Sequence, residues 1–201
     1  MKNIAIIDIE SQGASTSYSS IISIAGILVN PDLKEIERFE LNCRNKAGHV
    51  PDPYSLWVNK GFYQMKKSNS SHYQLMKELH KIIKKWSPCI WIGWNSIGFD
   101  FIMLQKENYK SLFPAYALNT NSNEQADFLP VARSSKLFFP KSINTTFSEK
   151  KNPVFQLESL SIINDIKVDQ FHTAISDCEA CLGIMRLIRK NAKQIYDQSF
   201  H

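Results

Sequence analysis

The chain has 201 residues, of which 43% are hydrophobic and 21% are charged, and its formal net charge at pH 7 is +5. These values exclude a disordered or low-complexity chain, and the modest positive charge permits a polyanionic partner without requiring one. Apolar runs are too short to cross a membrane, Asp8 interrupts the apolar run that a signal peptide needs, and four Cys are too few for a disulfide scaffold. We therefore expect a cytoplasmic protein. Its length predicts a single domain over residues 1–201 with a core at about 3–196.

The N-terminal part of the chain predicts three strands joined by short turns. β-Branched, apolar runs favour strands at 3–9, 21–30 and 35–42. A Ser-rich stretch separates the first two strands, and Asn30-Pro31-Asp32 is a turn between the second and the third. Strands that follow one another this closely are typical of an antiparallel meander.

The segment 43–71 is predicted to be irregular because Pro, Asn and Lys are frequent in it. It interleaves aromatic with basic side chains: Trp57, Phe62 and Tyr63 with Lys60, Lys66 and Lys67. Stacking combined with phosphate contacts is how single-stranded nucleic acids are bound, so this segment is a candidate binding lip. The alternative is a small hydrophobic cluster that pins a long loop.

The remainder of the chain predicts helices that alternate with a buried strand. The clearest helix spans 73–86, with one apolar face, a cap at Ser70 or Ser71, and Pro88 after its end. The other expected elements are a strand at 90–94, helices at 99–109, 127–138, 156–164 and 174–196, and polar loops at 119–124 and 141–152. Together with the meander they indicate an α/β domain.

Five polar side chains occupy strand and helix ends where an apolar fold gains little from them. Asp8 and Glu10 share one face of the first strand, Asp100 follows the strand at 90–94, and Asp177 lies in the first turns of the last helix after His172. Each alone is explained as a solvated strand end, a charge on a helix dipole or a surface His. Together they form an oxygen-rich set that suits two Mg²⁺ or Mn²⁺ ions and attack on a phosphodiester, with the His accepting a proton.

The order of these residues resembles a known family. D-x-E, N-x-x-x-F-D and H-x-A-x-x-D occur in that order in the His-bearing branch of the DEDD superfamily of 3′–5′ exonucleases. F-x-L-E-x-L at 155–160 and A-D-F-L-P-V-A-R at 126–133 are similar to the bacterial exonuclease I subgroup, so the resemblance spans about residues 3–190. It implies a ribonuclease H-like fold, which is a mixed five-stranded sheet flanked by helices, and Mg²⁺-dependent release of nucleoside 5′-monophosphates from a 3′ end.

The resemblance also implies roles for individual residues. The metal ligands would be Asp8, Glu10, Asp100 and Asp177, and these four would form the catalytic set with His172 as general base. The substrate-binding residues would be Glu10, Ser11, Gln12, Gly13, Asn95 and Gln156. The subgroup commonly has Arg where this chain has Gln156, so we expect weaker phosphate binding here. Further domains that encircle the strand in the subgroup are not in this sequence, so high processivity is not expected unless the chain is part of a longer protein.

Several alternatives stay open at this stage. Single-stranded DNA is favoured as substrate, with a 3′-end-trimming exoribonuclease or oligoribonuclease second, because the same site cuts both. A non-catalytic relative that binds nucleic acid, or an α/β domain whose acids are coincidental, would leave the strand whole. Cys178 and Cys181 are interpreted as small buried hydrophobes rather than a metal pair. Oligomeric state and biological pathway are not indicated by the sequence.

Overall fold

A mixed five-stranded sheet with the strand order β3-β2-β1-β4-β5 forms the centre of the molecule. The computed structural model describes residues 2–59, 61–169 and 172–200, with the side chains of residues 63 and 64 left out. The strands are β1 Asn3–Ser11, β2 Ile21–Val29, β3 Glu35–Asn42, β4 Cys89–Gly93 and β5 Glu124–Asp127. The helices are α1 Pro53–Val58, α2 Gly61–Lys67, α3 His72–Trp86, α4 Asp100–Lys110, α5 Phe128–Phe138, α6 Leu157–Ile163, α7 Ala174–Asn191 and α8 Lys193–Phe200.

The sheet is half antiparallel and half parallel, with β1 at the junction. β1 and β3 both pair antiparallel with β2, as the predicted meander requires. β4 pairs parallel with β1 and with β5. The fold class predicted from the family resemblance is therefore confirmed.

Alternation along β1 separates two cores. Ile4 and Ile6 face the layer of α5, α7 and α8. Ala5, Ile7 and Ile9 face the layer of α3 and α4. Because side chains alternate along a strand, residues 8 and 10 continue the row that faces α7.

The irregular segment predicted at 43–71 is wrong in part, because it contains α1 and α2. Asp52 caps α1 by accepting from the backbone N–H of Tyr54 and Ser55, and Pro53 stands at the first helical position, where its missing N–H costs nothing. None of the residues of α1 is buried, and α2 buries only Gly61 and Met65 among its described side chains, so neither helix has the apolar period that a sequence pattern needs.

The predicted helix at 174–196 is also corrected, because it breaks at Ala192 into α7 and α8. Ala192 leaves helical geometry with φ −141° and ψ 50°. The turn allows α8 to pack on α5, where the rings of Phe200 and Phe128 stack with centroids 6.3 Å apart.

The end of the polar loop predicted at 119–124 instead begins β5, which exists because its backbone pairs with β4. Among the described helices, none has the length and apolarity that crossing a bilayer demands.

Candidate active site

Three carboxylates meet where the end of β1 faces the start of α7. Asp8 and Glu10 point from β1, and Asp177 points from the first turn of α7. One carboxylate oxygen from each lies within 4.8 Å of the others, and all three side chains are half-buried. Oxygens at this spacing can share one hard cation, whose bonds to oxygen are about 2.0–2.6 Å long.

Small residues on α7 explain how the helix approaches the sheet closely enough to bring Asp177 there. Ala174, Cys178 and Cys181 are buried against the sheet. The Cys178 thiol lies 3.7 Å from the carbonyl oxygen of Ile6 and 3.6 Å from that of Ala25. The two cysteines are therefore core residues, which confirms their interpretation as small buried hydrophobes.

Asp100 lies at the edge of this group. It is the first residue of α4 and is buried. Its carboxylate accepts hydrogen bonds from its own backbone N–H and from that of Ile9, beyond the point where β4 stops pairing with β1. The Asp100 charge is the strongest of the three neighbouring charges that raise the pKa of Asp8. The structure thus brings three predicted ligands within reach of one ion and places the fourth beside them.

The electrostatics of the cluster favour a compensating positive charge. Burial, followed by the charges of Asp100, Asp177 and Glu10, raises the pKa of Asp8 well above its usual value. Burial and the Asp177 charge raise the pKa of Glu10 to about 8, against a hydrogen bond from Asn59 that lowers it. Burial likewise raises the pKa of Asp100 to about 7 and that of Asp177 to about 6. Shifts this large are typical of functional sites and of carboxylates that hold a metal.

A cavity of about 430 Å³ opens beside the cluster on the β4 side. It is lined by two predicted substrate residues, Asn95 and Gln156, together with His172 and Asp177. His172 has a left-handed backbone, with φ 62°, and its half-exposed imidazole Nε2 lies 3.6 Å from Oε2 of Glu158. The His172 charge lowers the pKa of Asp177. The predicted base and one predicted metal ligand therefore face the same space.

Asp127 and Glu158 were missed as site residues by the sequence reasoning. The Asp127 carboxylate accepts from the backbone N–H of Asn95 at 2.9 Å and of Ile97 at 3.2 Å, and it caps α5. These bonds hold Asn95 in a left-handed conformation, with φ 59°, at the rim of the cavity. Asp127 lies in the segment 126–133 and Glu158 in the segment 155–160, both of which resemble the exonuclease I subgroup. That resemblance is the sequence feature that could have identified them as site residues.

The residues that follow Glu10 use their side chains within the protein. The Ser11 hydroxyl donates to the carbonyl of Gly13 at 2.8 Å, and the buried Gln12 side chain donates to Oδ1 of Asn45 at 2.6 Å. Asn59, which the sequence reasoning also missed, donates to the carbonyl of Ser11 at 2.9 Å and to the Glu10 carboxylate. Asn59 therefore positions a predicted metal ligand from the segment that was expected to be irregular.

The predicted binding lip lies on α1 and α2. Trp57 and Phe62 are exposed, as are Lys66 and Lys67. Lys60 and the side chain of Tyr63 lie outside the described residues.

Comparison with known proteins agrees with this geometry. A family model described as "Exonuclease" matches residues 5–185. Exodeoxyribonuclease I of Buchnera aphidicola subsp. Schizaphis graminum is 26% identical over 201 residues, which is 98% of this chain and 42% of the relative. Exodeoxyribonuclease I of Escherichia coli is 22% identical over 196 residues, which is 96% of this chain and 41% of the relative.

Solved structures share the fold. Exonuclease I from Methylocaldum szegediense superposes with a TM-score of 0.90 at 21% identity, covering 100% of this chain and 43% of that one. E. coli exonuclease I in complex with a dT13 oligonucleotide superposes with a TM-score of 0.92 at 20% identity, covering 100% of this chain and 44% of that one. The chain thus spans less than half the length of these relatives.

Proposed function

Because the chain belongs to the exonuclease family, whose model matches residues 5–185, we propose that it is a 3′–5′ exonuclease that depends on divalent metal ions and releases nucleoside 5′-monophosphates from single-stranded DNA. The observation that carries the proposal is the convergence of Asp8, Glu10 and Asp177 within 4.8 Å beside a cavity that also contains His172. The choice of DNA rests on relatives named exodeoxyribonuclease I and on a structural neighbour that binds an oligonucleotide.

The donor set fits hard cations because every proposed ligand atom is a carboxylate oxygen. Asp8, Glu10 and Asp177 would hold one Mg²⁺ or Mn²⁺, and Asp100, beside Asp8, would complete a two-ion site. When bound, the ions would lower the pKa of the attacking water and neutralise charge on the leaving 3′ oxygen.

The chain's own side chains supply the proton transfer and the orientation. His172 accepts the proton of the attacking water as the general base. The Glu158 carboxylate, 3.6 Å from Nε2, stabilises the imidazolium that results. Gln156 offers the substrate a neutral amide where the subgroup commonly has a guanidinium, so at this position the phosphate is held by hydrogen bonds without a positive charge.

The test uses single strands of DNA and of RNA, labelled at either end, with Mg²⁺ and with a chelator. We expect 5′-labelled DNA to shorten stepwise from its 3′ end in Mg²⁺ alone, with release of 5′-monophosphates. Asp8→Asn should abolish cleavage, whereas Asp32→Asn, which changes an exposed carboxyl, should leave it intact. Cleavage that survives Asp8→Asn, removal of nucleotides from the 5′ end, or intact strands throughout would each contradict the proposal.

A further inference from the structure

Helix α1 presents two aromatic side chains to solvent on one face. Tyr54 and Trp57 are three residues apart, which places them side by side on a helix. They are 71% and 77% exposed, and their ring centroids lie 6.2 Å apart. None of the six residues of α1 is buried, so the helix contributes nothing to the core that would explain the rings.

The same helix is fixed to the strand that carries the proposed metal ligands. The backbone N–H of Asp52, its cap, donates to the carbonyl of Gln12 at 2.8 Å. Asn59, just after its last turn, donates to the carbonyl of Ser11 at 2.9 Å and to the Glu10 carboxylate. A six-residue helix is unstable alone in water, so these bonds at both ends hold it in place. The two rings consequently have a defined position relative to the carboxylate cluster.

The position of the rings also suits a strand that passes the cluster. α1 is attached at the end of β1 toward β2, whereas the cavity with His172 opens toward β4. The carboxylate cluster thus adjoins the cavity through Asp177, which lines it, and the end of α1 through Asn59, which bonds to Glu10. Helix α2, which packs against α1, adds exposed Lys66 and Lys67. Exposed flat rings and exposed cations on two adjacent helices, attached to a proposed phosphodiester-cleaving site, match the bases and phosphates of a single strand.

We propose that Tyr54 and Trp57 form a stacking platform for bases at the 3′ end of the bound strand, next to the bond that is cut. This inference rests on the proposed function and extends it to substrate binding. Every base has a π-face, so the platform binds without preference for sequence. It contributes to KM rather than to kcat, because the rings do not touch the reacting phosphate.

The first experiment measures kcat and KM on oligothymidylate with Mg²⁺ for the double variant Tyr54→Ala/Trp57→Ala. We expect KM to rise about tenfold or more, since stacking is worth about 1–3 kcal/mol per base, while kcat changes by less than about twofold. Trp57→Phe should restore most of the binding. Tyr109→Ala removes a 75% exposed ring in the last turn of α4 and should leave both constants unchanged.

The second experiment measures the Kd of a labelled strand by fluorescence anisotropy in the inactive Asp8→Asn background. Abasic residues replace the last few bases of the strand in one arm. The double variant should lose affinity for the intact strand and little or none for the abasic strand, because ring and base act as one contact.

Equal losses on both strands, or an unchanged KM, would overturn the platform. An unchanged Kd together with a lower oligomeric mass would overturn it as well, since the rings would then pair two copies of the chain. If no protein cuts DNA but the base-dependent loss of affinity is seen, the platform stands and the nuclease proposal fails. If cleavage occurs and the loss is absent, the platform fails alone.

Discussion

Replacing Asp177 with Asn tests whether the ionised carboxylate buried at this position destabilises the metal-free fold. Burial raises the pKa of Asp177 from 3.8 to about 6, partly offset by His172. The folded protein therefore binds more protons than the unfolded chain between these values. The stability that protonated Asp177 contributes is lost as the pH rises through about 6. Two pKa units correspond to about 3 kcal/mol. Because an amide does not ionise, Asp177→Asn should unfold with up to about 3 kcal/mol more free energy than the wild type near pH ~8, and the difference should vanish near pH ~4.

The assay is urea unfolding followed by circular dichroism, in a chelator, across this pH range. Asp32→Asn is the matched control: its partner Arg189 lowers the pKa of Asp32, so removing that carboxyl should give no gain at high pH. Adding Mg²⁺ should reverse the order, because the wild type binds the ion more tightly and is stabilised by mass action. If Asp177→Asn is no more stable than the wild type at high pH in chelator, the reasoning that burial of the ionised Asp177 carboxylate destabilises the metal-free fold is refuted.

Three further predictions concern single side chains. His172→Ala should lower kcat by about 100-fold or more on single-stranded DNA, the usual contribution of a general base, and a kcat near wild type would remove it from the mechanism. Gln156→Arg should lower KM by adding a charge in the cavity, and an unchanged or higher KM would show that the phosphate does not pass there. Asn59→Ala should cost about 1–3 kcal/mol in thermal unfolding and weaken Mg²⁺ binding by calorimetry, because the Ser11 carbonyl and Glu10 lose their donor; wild-type metal affinity would contradict its positioning role.

The order of the first three strands could be predicted because short connections join them, and the face shared by Asp8 and Glu10 because side chains alternate along one strand. The position of α3 could also be predicted from the sequence, since its apolar period and its Ser71 cap are local features. β5 was not located, because Glu124–Asp127 has no strand pattern of its own and is held by pairing with β4. The break at Ala192 was missed for a similar reason: it depends on packing against α5.

Two of the missed site residues act through tertiary contacts that a sequence pattern does not contain. Asn59 reaches back 48 residues along the chain to bond the carbonyl of Ser11. Asp127 holds the loop after β4, 30 or more residues earlier. Motif order indicated which acids to expect at the candidate site, but the groups that orient them become visible only in three dimensions.

The distance along the chain between Asp8 and Asp177 has a consequence for biosynthesis. A growing polypeptide that has emerged only as far as α6 presents Asp8 and Glu10 without their third partner. Under the function proposed above, tight uptake of an ion would therefore await the synthesis and docking of α7. A ribosome-bound nascent chain would then leave nucleic acid intact until α7 has docked against β1.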